Sequence, residues 1–398
     1  MRASRKLMKL LALSAVFAVV AAACGDDDGA EDGESPGGAE KETVKIGFFG
    51  ATTGELSALV VPGLQGARLR FQQAMDADEI PVNVEVVDFD TQADPAVAAP
   101  LVEEVVNDEE FVGVIGPAFS GESAGVGDRL EEAGIPRITQ SATDDALAQN
   151  AWTGWFRALG NNSDMGGPAG RYIAAQSPSS ICAASDGSAY GLGLKDIVVE
   201  VVGGEGIEVA LDEDIEPGLD DYSALVTSIA DTGCEILFYG GYSPEAGLIR
   251  DQMTDGGLED VIMVGGDGIK DSVFLDTAGE TAEGTIVSCP CADLSASEDE
   301  DAQAFNEAYE AEYGEPPAIY AAEGYDVASI YVEAFKNDAT EREAIIEFVH
   351  NLEGFEGLTK TYTWEDNGEL TEEGKVIYFY EVQGGEFAVL GTEEEVVG

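Results

Sequence analysis

Residues 44–116 read VKIGFFGATTGELSALVVPGLQGARLRFQQAMDADEIPVNVEVVDFDTQADPAVAAPLVEEVVNDEEFVGVIG. Apolar runs at Val44 to Gly50, Val82 to Asp88 and Val112 to Gly116 have strand length. Amphipathic stretches of helix length, Gly63 to Ala77 and Ala96 to Asn107, separate them. Strands that are apolar on both faces and alternate with helices imply βαβ units on a parallel sheet. The rhythm continues through a helix at Glu122 to Ala133, a strand at Ile135 to Thr139, a short helix after Thr143 and an extended segment at Thr153 to Ala158.

From Met165 it starts again. Strands are expected at Ser180 to Ser185, Glu208 to Ile215, Glu235 to Gly240, Val261 to Gly265 and Gly284 to Cys289. Helices at Met165 to Gln176, Gly191 to Val202, Tyr222 to Thr232 and Pro244 to Gly256 lie among them. Three more helices (Ala302 to Tyr313, Ala318 to Lys336, Thr340 to Leu352) and a closing pair of strands near Tyr362 to Trp364 and Val376 to Val382 complete the chain. The expected fold class is α/β, with two doubly wound parallel-sheet lobes joined by a multi-crossing hinge. Lobe 1 is read as residues 44–161 plus 292–366, and lobe 2 as 162–291 plus 367–398. Open sheets of this kind bind ligands beyond the carboxyl ends of their strands, so two facing lobes enclose a cleft.

The composition narrows the function. With 398 residues, two domains are expected. The 79 acidic and 19 basic side chains give a net charge of -60, which leaves no basic footprint for nucleic acid. A single histidine, His350, leaves little room for imidazole metal sites or acid–base pairs. No metal and no cofactor is expected. Acidic runs such as Glu298 to Asp301 and Glu393 to Glu395 read as a solvated coat suited to high salt, since none has the spaced ladder of a calcium loop.

The first 23 residues place Arg2, Arg5, Lys6 and Lys9 before the apolar run Leu10 to Ala23, as a secretory signal does. Ala21-Ala22-Ala23-Cys24 resembles a bacterial lipobox, in which Cys24 becomes lipidated, although Ala-x-Ala also fits ordinary cleavage. Residues 24–43 carry eight carboxylates and one lysine, a composition suited to a flexible tether. The expected location is the outer face of the cytoplasmic membrane, with the protein held there by the lipid. Losing the signal removes four positive charges and no acids, leaving 15 basic against 79 acidic side chains, or -64.

The loops after the strands carry the candidate chemistry. Gly116-Pro117-Ala118-Phe119-Ser120 ends a strand and opens a helix, which presents a hydroxyl and free N–H groups to an anion. Ser141-Ala142-Thr143 repeats this one strand later. In the second lobe, Ser185 to Gly191 with Tyr190, Tyr239-Gly240-Gly241-Tyr242, and Gly265-Gly266-Asp267-Gly268 occupy the equivalent turns. Taken singly, these residues also serve as helix caps and rim packing. Together they place an anion site and a carboxylate at facing strand ends, which suits a zwitterion. No arginine is assigned to the cleft, which disfavours dicarboxylates.

These motifs resemble those of the periplasmic solute-binding proteins for branched-chain amino acids, the type I binding fold of ATP-driven importers. The resemblance runs from Val44 onward through Gly50 to Gly54, Gly116 to Ser120, Gly134-Ile135-Pro136, Tyr190-Gly191, Tyr239 to Tyr242 followed by Pro244 to Gly247, Ala282 to Gly284, and Thr363-Trp364. It implies that Ser120 and Thr143 hold the ligand carboxylate. Asp267, the Ser141 carbonyl and Thr143 would hold the ammonium, and Tyr190 and Tyr242 would close from the second lobe. Leu59 and Tyr320 would line the side-chain pocket. Two residues depart from the family pattern, Asp267 where glutamate is usual and Leu59 where an aromatic is usual, so related ligands such as an amide, urea or an aromatic acid stay open. The implied partners are a small amino acid and a membrane permease, with the protein a monomer; a ligand-sensing lipoprotein is the alternative.

Gly121-Glu122-Ser123-Ala124-Gly125 formally matches a serine hydrolase elbow, with His350 downstream. Ser123 falls inside the helix rather than at the turn, so the chain is not read as an enzyme. Five cysteines divide into Cys24 and four others. Cys182 and Cys234 lie early in adjacent strands and can bridge, which leaves Cys289-Pro290-Cys291 as a short loop; four reduced thiols are the other possibility.

Overall fold

A computed structural model describes residues 41–397. The signal segment, Cys24 and the tether up to residue 40 lie outside the described residues.

Five parallel strands, β1 (Thr43–Gly50), β2 (Asn83–Asp90), β3 (Phe111–Ile115), β4 (Arg137–Thr139) and β5 (Trp155–Arg157), form one sheet in the order β2-β1-β3-β4-β5. The helices α1 (Ser57–Asp76), α2 (Pro95–Val106) and α3 (Ser120–Glu132) connect its strands. The chain then enters α4 (Asn162–Ala175) and a second sheet. Its parallel strands are β6 (Ser180–Ser185), β7 (Glu208–Asp214), β8 (Ile236–Gly240), β9 (Ile262–Gly265) and β10 (Ile286–Cys289), linked by α5 (Ala189–Gly204), α6 (Ser223–Thr232), α7 (Ser243–Asp255) and α8 (Ser272–Ala278). It returns through α9 (Glu300–Tyr313), α10 (Ala321–Lys336) and α11 (Arg342–His350) and a small ribbon of β11 (Phe355–Glu356) and β12 (Thr361–Tyr362). Last come β13 (Tyr378–Gln383), β14 (Glu386–Thr392) and the short α12 (Glu393–Val396).

The second sheet runs β14-β13-β10-β9-β8-β6-β7, with β13 antiparallel to β10 and to β14. The chain therefore passes between the sheets three times: after β5, after β10 and before β13. This is the two-lobed doubly wound architecture expected from the sequence.

Several elements differ from the sequence reading. Helix α1 begins at Ser57 rather than Gly63, because Pro62 removes only one hydrogen bond and the helix runs through it. Residues Tyr362 to Trp364 do not close a main sheet. Tyr362 pairs with Phe355, and Trp364 makes a lone bridge to Leu370. The partner of β13 is instead β14, joined to it through Gly384 and Gly385, both at positive φ. Helix α8, absent from the expectation, is capped by Asp271, whose carboxylate accepts from the Val273 and Phe274 amides. The exposed acids Asp299 to Asp301 cap and open α9, where carboxylates complement the helix dipole.

The crossing of α1 and α10 positions two parts of the cleft. A Cβ on Gly66 would lie 1.9 Å from the Ala321 carbonyl oxygen, and one on Gly324 would lie 2.1 Å from that of Gly63. Only glycine permits this approach, which brings Leu59 of α1 and Tyr320, the residue capping α10, to the same cavity. Disulfides join Cys182 to Cys234, across the β6–β8 edge, and Cys289 to Cys291 at the end of β10. Among the described residues, no helix is long and apolar enough to cross a membrane.

Candidate functional site

Each candidate side chain stands at the carboxyl end of a strand or the start of a helix. Ser120 is the first residue of α3, after β3. Ser141 and Thr143 follow β4. Tyr190 lies in the first turn of α5, Tyr242 caps α7, and Asp267 follows β9 through Gly266. Tyr320 caps α10 in the left-handed region at φ 63°. A tyrosine in that region is a costly conformation that packing must hold.

Seven of the eight candidates, Leu59, Ser120, Ser141, Tyr190, Tyr242, Asp267 and Tyr320, line one cavity of about 10 Å³ between the sheets. A cavity of that volume holds about one water, so the lobes stand closed. Thr143 is not on its wall. It is fully buried beside Ser120, whose Oγ accepts from the Asp144 amide at 3.2 Å. Thr143 Oγ1 has no hydrogen-bond partner among the described residues. A larger cavity of about 920 Å³ opens outside, lined from both lobes by Thr53, Gln92, Asp186 and Glu245 among others, and Tyr242 is common to both cavities.

The carboxylate of Asp267 is 2 % exposed. Its Oδ1 accepts from the Tyr190 hydroxyl at 2.7 Å and its Oδ2 from the Tyr320 hydroxyl. Burial pushes the Asp267 carboxyl up to about 6, against the pull of the two phenols. Burial also raises Tyr190, Tyr242 and Tyr320 well above the ordinary phenol value, so all three stay protonated as donors. Ser141 Oγ donates to the Ala118 carbonyl at 2.8 Å, which leaves that residue's own carbonyl as its contribution to a ligand.

Four neighbours escaped the sequence reading. Phe119 packs edge-on against Tyr242 from the opposite lobe, with centroids 5.3 Å apart. Glu122, fully buried, accepts from Thr91 and from the Phe119 amide, and burial pushes it up to about 7. Asn162 donates its amide to the Thr143 carbonyl at 2.7 Å and its side chain to the Tyr190 carbonyl at 3.1 Å. Arg157 lies fully buried behind Thr143, bonded to the carbonyls on either side of it, and lines neither cavity of the cleft. The available signal was a lone cation in the apolar run Trp155-Phe156-Arg157-Ala158-Leu159.

The formal hydrolase pair is apart in function. Ser123 Oγ donates to the Pro117 carbonyl, and His350 Nε2 pairs with the Thr153 carbonyl. Among the described residues, no group of acids, cysteines and histidine has metal-site geometry.

A profile of the periplasmic binding protein family matches residues 43–386. The chain is 27 % identical over 341 residues to the leucine-, isoleucine-, valine-, threonine- and alanine-binding protein of Pseudomonas aeruginosa, covering 85 % of this chain and 90 % of that protein. It is 30 % identical over 251 residues to the Leu/Ile/Val-binding protein of Escherichia coli, covering 63 % and 68 % of the two chains. Among solved structures, the branched-chain amino acid transporter substrate-binding protein of Streptococcus pneumoniae in complex with isoleucine superposes with a TM-score of 0.81 at 27 % identity, covering 88 % of this chain and 99 % of that one. With strands, crossings and cleft all of that kind, the chain belongs to the periplasmic binding protein family, a family of substrate-binding proteins and not of enzymes.

Proposed function

We propose that the chain is the solute-binding subunit of an ATP-driven importer and closes its two lobes on a small apolar amino acid of the branched-chain class. One observation carries the reading: a buried carboxylate, Asp267, shares one small pocket with the helix-opening Ser120, and the buried, unpartnered hydroxyl of Thr143 lies next to Asp144, whose amide binds Ser120. An ammonium suits the first and a carboxylate suits the second, since helix N-termini favour anions and buried carboxylates favour paired cations. Leu59 and the phenol rings border the cavity, which at about 10 Å³ must widen to admit the remaining side chain. The relatives named for leucine, isoleucine and valine support this class of ligand. The permease of such an importer is the proposed partner, and the protein acts as a monomer anchored outside the membrane through Cys24.

A thermal-shift screen of the twenty amino acids with their amides and deaminated acids tests the ligand class. Leucine, isoleucine or valine should raise the melting temperature, while leucinamide and 4-methylpentanoate, each lacking one charge, should not. Stabilisation by the deaminated acid as strong as by leucine would remove the ammonium from the reading. For the anchor, labelled fatty acid should be incorporated into the exported protein and lost in Cys24→Ser.

A further inference from the structure

Arg157 occupies the end of β5 and is fully buried. Its Nη1 donates to the Ala142 carbonyl at 2.7 Å and its Nη2 to the Asp144 carbonyl at 2.9 Å, the two carbonyls flanking Thr143. The carbonyl of Thr143 itself accepts from the Asn162 amide at 2.7 Å. Three successive carbonyls are therefore gripped by the segment that leads from one sheet to the other. The Thr143 hydroxyl is a buried polar group without a partner among the described residues.

Glu369 fixes the guanidinium. Its Oε1 accepts from Nη2 at 2.7 Å, and both oxygens stand 3.2 Å from Nε. The ring of Trp155 lies 4.9 Å from the guanidinium carbon. Glu369 lies on the last passage of the chain between the sheets, where the Gly368 carbonyl also accepts from the Arg157 amide at 2.9 Å. A forked, planar cation can hold two carbonyls and a carboxylate at once in fixed directions, whereas an ammonium on a flexible stem cannot.

We propose that Arg157, held by Glu369, is a positioning residue for ligand recognition: it sets the Ala142–Asp144 loop so that the Thr143 hydroxyl meets the ligand carboxylate. This rests on the reading of Ser120 and Thr143 as the carboxylate site. Arg157 touches no ligand and acts through Thr143. The same pair ties that loop to two of the three inter-lobe passages.

The test compares leucine with leucinamide by calorimetry on the whole exported chain, because their affinity ratio isolates the carboxylate. Thr143→Val should cut the ratio about tenfold, the scale of one hydrogen bond to a charged group. Arg157→Lys should cut it to a similar degree, and Arg157→Lys with Thr143→Val should be no worse than Thr143→Val alone. Glu369→Gln, which keeps an acceptor and the shape, gives the same comparison if the lysine variant does not fold. In the ligand-free protein, hydrogen exchange at the Asn162 and Asp144 amides should quicken in Arg157→Lys or Glu369→Gln while β1 stays protected. A parent-like ratio in these variants, with a reduced ratio in Thr143→Val, overturns the positioning role and leaves Arg157 as a stability residue alone. A parent-like ratio in Thr143→Val overturns the carboxylate reading, and the proposal with it.

Discussion

Phe119 and Tyr242 meet edge to face at 5.3 Å, one from the turn after β3 and the other from the turn after β8. They belong to different sheets, so the contact exists only while the lobes are together. Tyr242 also stacks on Tyr190 at 5.2 Å, which makes a short aromatic ladder from the first lobe into the second. Ligand can shift the lobes toward this arrangement only by contacts that the open form lacks.

Phe119→Ala should therefore weaken the closed state more than the fold. An aromatic pair of this geometry contributes on the order of 1 kcal/mol beyond area burial, so ligand affinity should fall by about fivefold or more. The melting temperature without ligand should change little if the free protein is open. Small-angle scattering should show compaction when the parent binds its amino acid, and a higher ligand requirement for that compaction in the variant. Identical titrations would mean that the pair does not contribute to closure.

Cys182 and Cys234 are joined within the second lobe, away from the ligand cavity. With a sequence separation of 52, the chain-entropy estimate gives roughly 4 kcal/mol of stabilisation, provided the native geometry is undisturbed. Replacing both by alanine should lower the melting temperature clearly and leave ligand affinity within about twofold, as expected for independent sites. A large loss of affinity would show that the bond also shapes the site.

The alternation of strand and helix was legible because most of the parallel strands are apolar on both faces, as in Phe111 to Ile115, while β2 and β7 at the sheet edges carry acids. The turn residues were legible too, since Gly116 takes a positive φ of 106° and Ser120 and Asp267 place short polar side chains at the turns after strands. The supports behind them were not. Arg157 and Glu369 are 212 residues apart, and no local pattern encodes their meeting. Nor does sequence reveal that Tyr320 takes a left-handed conformation, because the contacts fixing it come from Asp267 and from the α1–α10 crossing. The hairpin partner β14 was missed because Glu386 to Thr392 is only partly buried and shows weak alternation.

The acidic surface predicts a response to salt. With a net charge of -60 over 398 residues, most carboxylates lack a cation partner, and like charges oppose the compact state until ions screen them. Raising the salt from about 0.01 M to 1 M shortens the screening length from roughly 30 Å to 3 Å. The melting temperature should rise steadily across that range, and a flat profile would contradict the salt-adapted surface.

Asp267 gives the sharpest pH prediction because folding and binding should respond to it in opposite senses. Its carboxyl is raised to about 6 by burial, above the unfolded value of about 4. Between those values the folded state holds a proton that the unfolded state has released, so the site favours the ligand-free fold at low pH and opposes it as pH rises through 6. Glu122, raised to about 7, and Asp186, raised to about 6, add the same sign over a similar window. An ammonium ligand needs the ionised form, so affinity should be full above about pH 7 and fall as pH drops through 6. Asp267→Asn keeps the size, removes the charge and should cost roughly 2 to 5 kcal/mol of binding at neutral pH. The remaining affinity should lose this component of its pH dependence, while the variant should gain stability at pH 7 relative to the parent. Calorimetry across pH 5 to 8 on both proteins separates the outcomes. Affinity in Asp267→Asn within about threefold of the parent, equivalent to under roughly 1 kcal/mol, would mean that Tyr190 and Tyr320 bind this carboxylate for structure and that the ligand's cation is held elsewhere.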